Sequence, residues 1–366
     1  MLDTTLADFF HRHQAAVTGN GPSLPVMPPP DEWESEDVPT VFLDKEVAPE
    51  KWEPRIVLEA PARTGEFPVR FVDGAQHQRT VLWLRCPLGT PIPLVVAEVA
   101  AVTLRLHGRQ FQREAYSVDR VLSFVADPFP WEEIEDFAGA LLAHPQLQLR
   151  LALANRPMEC HHPFDFEVMR TQAVSRARQE MSTLERIMLA RNTTLPTLVD
   201  GPLHRVMGEP SADSPLVIGV VKTHAANYLH DQGWRTLLDL RPGQRTPVFC
   251  IAGKHGMQSR QGRFPIATWY LKLAGGPRLA PNWGYVRIEV PWNQFEHQFK
   301  GSFEFIGRLS RWLIDARCRA ESYGRMPVSL EPIVRAEEVM KPLFSSLDAL
   351  SHRLYRQAGL LRSPHP

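Results

Sequence analysis

Residues 195–203 read LPTLVDGPL, an apolar run that ends in Asp200-Gly201. The run predicts a buried strand, and the glycine allows the chain to turn sharply where that strand ends. Residues 67–74 (FPVRFVDG) end in the same way, at Asp73-Gly74. A carboxylate held at the end of a strand is well placed to bind a metal ion. One Asp-Gly dipeptide is weak evidence because it is also a common turn, but two after apolar strands predict a shared site.

The segments around these two strands indicate an α/β protein. Helices are predicted at 131–145 and 165–191, and further helices close the chain. Strands before the helices form an antiparallel meander, and later strands alternate with loops, which together predict a mixed β-sheet flanked by helices. The predicted strands are 67–72, 80–85, 94–106, 195–199, 216–221, 247–252, 266–273 and 285–290.

The N-terminal residues differ in composition from the rest of the chain. Residues 1–17 predict a short amphipathic helix with Leu6, Phe9 and Phe10 on one side, and residues 19–31 are rich in Gly, Pro and Ser. We therefore divide the chain into an N-terminal arm and linker, 1–60, and a main domain, 61–366. The arm is either disordered or a docking element for a partner or a second copy.

Composition limits the classes of function. The 41 basic residues balance 41 acidic ones, so no global field attracts nucleic acid and any contact must come from a local basic surface. The Gly-rich loop 253–263, with Lys254, Arg260 and Arg263, is one candidate surface. Trp269, Trp283 and Trp292 either stack on unpaired bases or pack in the core. Without a signal segment or an apolar run of membrane-spanning length, we expect a cytoplasmic protein with no membrane contact.

The order of the motifs resembles the NurA family of nucleases. That family has a first Asp-Gly, a helical Glu, an Asp-Gly-Ser/Pro-Leu and a Val-Gly-x-x-Lys segment. Here these stand as Asp73-Gly74, a glutamate before Asp200, residues 200–203 (DGPL) and residues 218–223 (IGVVKT) ending at Lys222-Thr223. The resemblance covers roughly residues 65–340 and makes 61–366 a NurA-like nuclease domain.

The resemblance implies an RNase H-like mixed β-sheet flanked by helices, with the N-terminal arm and C-terminal helices added. It also implies a Mn²⁺-dependent (or Mg²⁺-dependent) deoxyribonuclease that acts on DNA ends and single strands in repair or defence. Its partners would be DNA, a second copy in a homodimer, and a HerA-type hexameric ATPase that translocates DNA. Two or three carboxylates with water and phosphate oxygens suit either cation.

The helical glutamate is either Glu180 or Glu185. Asp200 lies about 17 Å along its strand at ~3.3 Å per residue, and eleven helical residues at ~1.5 Å cover the same distance back to Glu180. The run Leu184-Glu185-Arg186 instead resembles the helix of the family. We therefore predict Asp73, Asp200 and Glu180 as metal ligands and keep Glu185 as the alternative. Lys222 is expected to hold a phosphate or stabilise charge in the transition state, and His204, His224 and His230 are candidate general acids or bases.

One departure from the family pattern bears on activity. The family closes with Gly-Tyr-Pro and then Ala-His on the next helix, whereas here Met326 stands at the Tyr position and Val334 at the His position. Tyr323 is close but displaced. Three readings follow: an active nuclease, a non-catalytic NurA-like subunit that docks on a HerA-type ATPase and threads DNA, and an RNase H-like enzyme that acts on RNA. The adjacent Cys160, His161 and His162 either bind metal or are solvated.

Overall fold

The structure is a computed structural model that describes residues 6–18, 41–44, 46–57, 67–155, 166–191, 194–222, 228–252, 264–275, 283–319 and 329–361. Within these ranges the strands are β1 (Ala16–Val17), β2 (Val41–Asp44), β3 (Arg55–Ile56), β4 (Arg70–Arg85), β5 (Pro91–His107), β6 (Gln110–Ser123), β7 (Arg150–Leu151), β8 (Thr197–Asp200), β9 (Val217–Val221), β10 (Gln244–Arg245), β11 (Phe249–Ala252), β12 (Ile266–Lys272) and β13 (Tyr285–Pro291). The helices are α1 (Leu6–Arg12), α2 (Trp131–Leu142), α3 (Phe166–Ala190), α4 (Leu203–Val206), α5 (Asp231–Asp239), α6 (Trp292–Phe299), α7 (Phe303–Asp315), α8 (Glu331–Met340) and α9 (Leu347–Gln357).

The strands form one mixed sheet in the order β2-β11-β12-β13-β9-β8-β4-β5-β6-β7; off this path, β1 pairs with β4, β10 pairs with β12, and β3 pairs with β10. Towards the β7 end of this order, β4, β5 and β6 form an antiparallel meander. From β6 the chain passes through α2, β7 and α3 to β8, which runs parallel to β4, and β9 then runs parallel to β8. The predicted α/β class is confirmed, and this central strand order is the RNase H-like core that the resemblance implied.

Helices cover both faces of the sheet because successive side chains of a buried strand point to opposite faces. On β4, Val72 packs with Met181 and Met188 of α3 on one face. Its neighbour Phe71 packs with Leu309 of α7 and Ile333 of α8 on the other face. The central strands therefore lie between α3 and the C-terminal helices, and the ends of the strands lie between the same two layers.

The meander differs from its prediction in one respect. β4 passes without interruption through Asp73 and Gly74, and the hairpin turn comes later, between β4 and β5. The predicted turn after Asp73 is therefore wrong, because Gly74 stays in register opposite Ala101 of β5. The third strand of the meander is β6, which the sequence patterns did not predict.

The N-terminal helix belongs to the core. The side chains of Leu6, Phe9 and Phe10 are at most 2% exposed, and the Phe9 ring stacks on Phe137 of α2 with their centroids 4.1 Å apart. β1 pairs with β4, so this part of the chain is attached to the sheet as well. The hypothesis that these apolar side chains dock on a partner is wrong, since the protein itself covers them. The division at residue 60 stays a prediction.

Candidate metal centre

The two predicted aspartates are brought together by the pairing of their strands. β4 and β8 are parallel, and Val72 lies opposite Val199, one residue before each aspartate. Asp73 therefore continues along β4 while Asp200 ends β8, and both side chains leave the sheet on the side of α8. Asp73 is only 3% exposed. The chain turns away after Asp200 because Gly201 takes a φ of +111°, a conformation that side chains other than glycine rarely adopt.

A third carboxylate joins them from α8. Asp73, Asp200 and Glu337 each place one oxygen so that the three atoms lie within 4.8 Å of one another. Glu337 was not among the residues predicted from the sequence. Its signal was present, because Glu337 lies one turn from the buried Ile333 and Met340, so that an acidic residue interrupts the apolar stripe of α8.

The surroundings of Asp73 favour a bound cation. Asp73 Oδ1 accepts a hydrogen bond from the Gly74 N–H at 2.9 Å, while the buried Oδ2 has no hydrogen-bond partner among the described residues. Burial raises the pKa of Asp73 well above its ordinary value, and the negative charges of Asp200, Glu185 and Glu337 raise it further, against the opposing effect of Lys222. A positive charge at this point would stabilise the ionised carboxylate.

Lys222 supplies one such charge. It follows β9, and its Nζ lies 2.8 Å from Asp200 Oδ2 and 4.0 Å from Glu337 Oε1. Burial lowers the pKa of the Lys222 ammonium, but the Asp200 and Asp73 carboxylates outweigh this effect, so the pKa is raised overall. The lysine is therefore charged and directed at the acidic cluster, where the sequence placed it.

Glu185 of α3 reaches the cluster from the opposite face of the sheet. Its side chain is fully buried and occupies the space beside Gly74, where an added Cβ would lie 2.8 Å from Glu185 Cδ. Arg205 of α4 links Glu185 to β8, because one guanidinium nitrogen donates both to Glu185 Oε1 at 3.0 Å and to the Asp200 carbonyl oxygen at 2.7 Å. Glu185 thus supports the cluster through Gly74 and Arg205. Neither Arg205 nor its link was found from the sequence.

Glu180 lies elsewhere on the same helix. Its carboxylate forms ion pairs with Arg150 and with Arg176, the latter at 2.5 Å. Burial alone would raise the pKa of Glu180, but hydrogen bonds and charges from the two arginines lower it overall. The strand-length estimate placed Glu180 level with Asp200, but the α3 carboxylate beside Gly74 and Asp73 is Glu185, and Glu180 pairs with arginines instead.

Other predicted site residues make packing contacts or hydrogen bonds away from the cluster, or lie outside the described ranges. His204 stacks on Phe264 with centroids 4.4 Å apart, and His230 accepts a hydrogen bond from the Gly233 N–H at the start of α5. Trp269 is fully buried and donates to Ser310 Oγ at 3.0 Å, so it is part of the core. Val334 is buried on α8. The parts that lie outside are residues 160–162 and 253–263, Tyr323, Met326, Thr223 and His224.

The donor set fits a hard divalent cation. Three carboxylate oxygens at close range, one of them buried without a hydrogen-bond partner in the described chain, match the oxygen ligands that Mg²⁺ and Mn²⁺ bind. Few protein ligands would leave coordination positions for water and a phosphate oxygen. No sulfur or histidine ligand belongs to this group, which argues against the donor set typical of zinc.

Comparison with known proteins gives a limited result. No family model and no curated protein matches this chain. Among solved structures, the chain is similar to the NurA nuclease from Sulfolobus solfataricus. The match covers 85% of this chain and 86% of that chain, with 10% sequence identity and a TM-score of 0.43. At this level of similarity, the geometry of the carboxylate cluster carries the functional proposal.

Proposed function

We propose that the protein is a divalent-metal-dependent nuclease that hydrolyses DNA phosphodiester bonds. The observation that carries the proposal is the cluster of Asp73, Asp200 and Glu337, with its oxygens within 4.8 Å of one another at the end of an RNase H-like sheet. A bound Mn²⁺ or Mg²⁺ would supply Lewis acidity and a water of lowered pKa for phosphodiester hydrolysis.

The residues of this chain take distinct roles. Asp73, Asp200 and Glu337 would hold the cation, and repulsion among their charges would be relieved when it binds. Lys222, already directed at Asp200, would hold a non-bridging phosphate oxygen and stabilise its growing negative charge. Glu185 and Arg205 would fix the parts of β4 and β8 that present the aspartates.

The resemblance in motif order supports the finer assignments. These are action on DNA ends and single strands, a homodimer, and a HerA-type hexameric translocase that delivers DNA in repair or defence. A formal net charge of zero supports the need for such a partner, since affinity for DNA without sequence preference depends on how many phosphates a protein neutralises. The assembly is tested by light scattering for the dimer and by co-purification with the cognate ATPase.

The main test is incubation of the protein with end-labelled single-stranded DNA, double-stranded DNA and RNA, with Mn²⁺, Mg²⁺ or a chelator. We expect cleavage of DNA with either metal and none with the chelator. Calorimetric titration with Mn²⁺ should show binding that Glu337→Gln weakens, whereas Glu338→Gln, its exposed neighbour, should leave it unchanged. A folded protein that binds Mn²⁺ but cleaves no DNA would favour the non-catalytic subunit instead.

A further inference from the structure

The outer edge of β4 is open beside the metal centre. β5 pairs with β4 from Arg70 to Arg85 on one side. On the other side of β4, β8 pairs with it only as far as Val72, and β1 pairs with it from Leu82 onward. Among the described residues, no strand covers the stretch between them. This edge begins at Asp73, so it leads directly away from the carboxylate cluster.

The open edge is the floor of a cleft. α3 forms one wall, and α8 with the turn that follows it forms the other. The cleft has a volume of about 420 Å³, and residues 73–76, Gln78, Asp200 and Glu337 line it together with the two walls. The metal centre is therefore one end of the cleft.

Each wall carries a cation beyond the carboxylates. Arg178 lines the cleft from α3, and the exposed Lys341 lines it from the end of α8. At ~1.5 Å per residue along a helix, Arg178 lies about 10 Å from Glu185 and Lys341 about 6 Å from Glu337. Adjacent phosphates of one strand are ~3.4 Å apart along a duplex axis and farther apart in an extended unpaired strand, so these distances correspond to at most about three nucleotides. Between the cations, the Gln76 and Gln78 side chains supply amide groups.

We infer that this cleft binds one strand of a polynucleotide, with Arg178 and Lys341 contacting phosphates within about three nucleotides of the one at the metal centre. The inference deepens the proposed function and rests on it. Asp73 is almost fully buried, so a scissile phosphate must enter the cleft to reach it. The cleft volume lies in the range of small-ligand pockets, so an unpaired strand fits it better than a duplex. The paired cations favour a polyanion over an added peptide strand, which would need side-chain pockets.

The test measures binding of fluorescein-labelled oligothymidylate, twelve nucleotides long, by fluorescence anisotropy at several salt concentrations. Ca²⁺ replaces the catalytic metal, and a gel confirms that the probe stays intact. Arg178→Gln and Lys341→Gln should each weaken binding several-fold and reduce the slope of log K against log salt by about 0.7, the value for one lost phosphate contact with a single strand. Arg235→Gln on α5 and Lys51→Gln, exposed cations outside the cleft, are the matched controls and should change neither quantity.

The outcomes separate this inference from the proposed function. Variants with the wild-type affinity and salt slope would overturn it, and so would a duplex of the same length that binds as tightly as the single strand. Failure of the wild-type protein to bind the probe at low salt would also overturn it. A protein that binds through both cations but never cleaves DNA with Mn²⁺ would support the inference and overturn the nuclease proposal.

Discussion

The two Asp-Gly dipeptides look alike in sequence and differ in structure. Asp73-Gly74 lies inside the long strand β4, whereas Asp200-Gly201 ends β8. Gly74 is needed for space, because a Cβ would meet the Glu185 carboxyl group at 2.8 Å. Gly201 is needed for its backbone, at a φ of +111°. The same dipeptide therefore presents a carboxylate in two different ways. Gly74 leaves space for Glu185 beside an uninterrupted strand, and Gly201 allows a sharp turn at the end of a strand.

The largest expected effect is the same for both dipeptides and concerns DNA cleavage. Asp73→Asn and Asp200→Asn should each reduce DNA cleavage by several orders of magnitude, because each removes a charge that holds the metal. End-labelled DNA assays with Mn²⁺ measure the loss, and circular dichroism checks the fold. Asp213→Asn, a change at an exposed aspartate away from the cluster, is the matched control. Full activity in either folded variant would remove that aspartate from the site.

Substitution of the two glycines should lower the free energy of unfolding for a different reason at each position. Gly74→Ala should lower the free energy of unfolding by about 1–3 kcal/mol through overpacking against Glu185, and in a Glu185→Ala background this loss should largely disappear. Gly201→Ala should lose about 1–2 kcal/mol through backbone strain. Arg205→Ala should relieve only the added steric contact, in which the new Cβ lies 2.9 Å from the Arg205 guanidinium, and should leave the strain at a φ of +111°. Urea unfolding of the single and double variants measures these differences. Equal relief in both pairs would contradict the distinction.

The two glutamates of α3 extend the comparison. Glu185→Gln should reduce the cleavage rate about 10–100-fold, as expected for loss of a group that orients metal ligands. Glu180→Gln should leave the rate nearly unchanged, because its carboxylate pairs with Arg150 and Arg176 instead. Kinetic measurements at saturating Mn²⁺ test this difference. If the Glu180 variant lost more activity than the Glu185 variant, Glu180 and not Glu185 would be the α3 glutamate that acts at the metal centre.

The smallest effect concerns acid stability. The arginine partners of Glu180 lower its pKa in the folded protein despite burial. A group with a lowered folded pKa stabilises the protein above its unfolded pKa, about 4.3 for glutamate, and that stabilisation is lost as the pH falls through the folded value. The difference in free energy of unfolding between wild type and Glu180→Gln should therefore stay nearly constant from pH 7 to about pH 5 and shrink as the pH falls below about 4.3. Urea unfolding at each pH measures it, and a constant difference would contradict the ion-pair assignment.

Much of the architecture could be predicted because strand and helix periodicities are local. The strands around Asp200 and Lys222 and the helix α3 begin and end within a few residues of their predicted positions. β6 was missed because its exposed edge carries mixed polar residues in place of an apolar run. The route of β4 through Gly74 was missed because it depends on Glu185, which packs there from a distant part of the chain.

The candidate site was predicted only in part for the same reason. Asp73, Asp200 and Lys222 follow apolar strands and were found. Glu337 and Arg205 carry no motif, and they matter only because α8 and α4 pack beside the ends of those strands. The choice between Glu180 and Glu185 depended on the packing of Glu185 beside Gly74 and on the two arginine partners of Glu180, neither of which is visible in a linear pattern.

The pairing of β4 with β8 has a consequence for how the chain folds. It joins residues 70–72 to 197–199, and α8 arrives only near the C-terminus, so no single segment of chain contains the metal site. Contacts between such distant parts of a chain form slowly. A cation that binds only the finished cluster would add stability of RT ln(1 + [M]/Kd), about 2.7 kcal/mol at one hundred times Kd. The metal would thus favour molecules that have completed this pairing over partly folded ones.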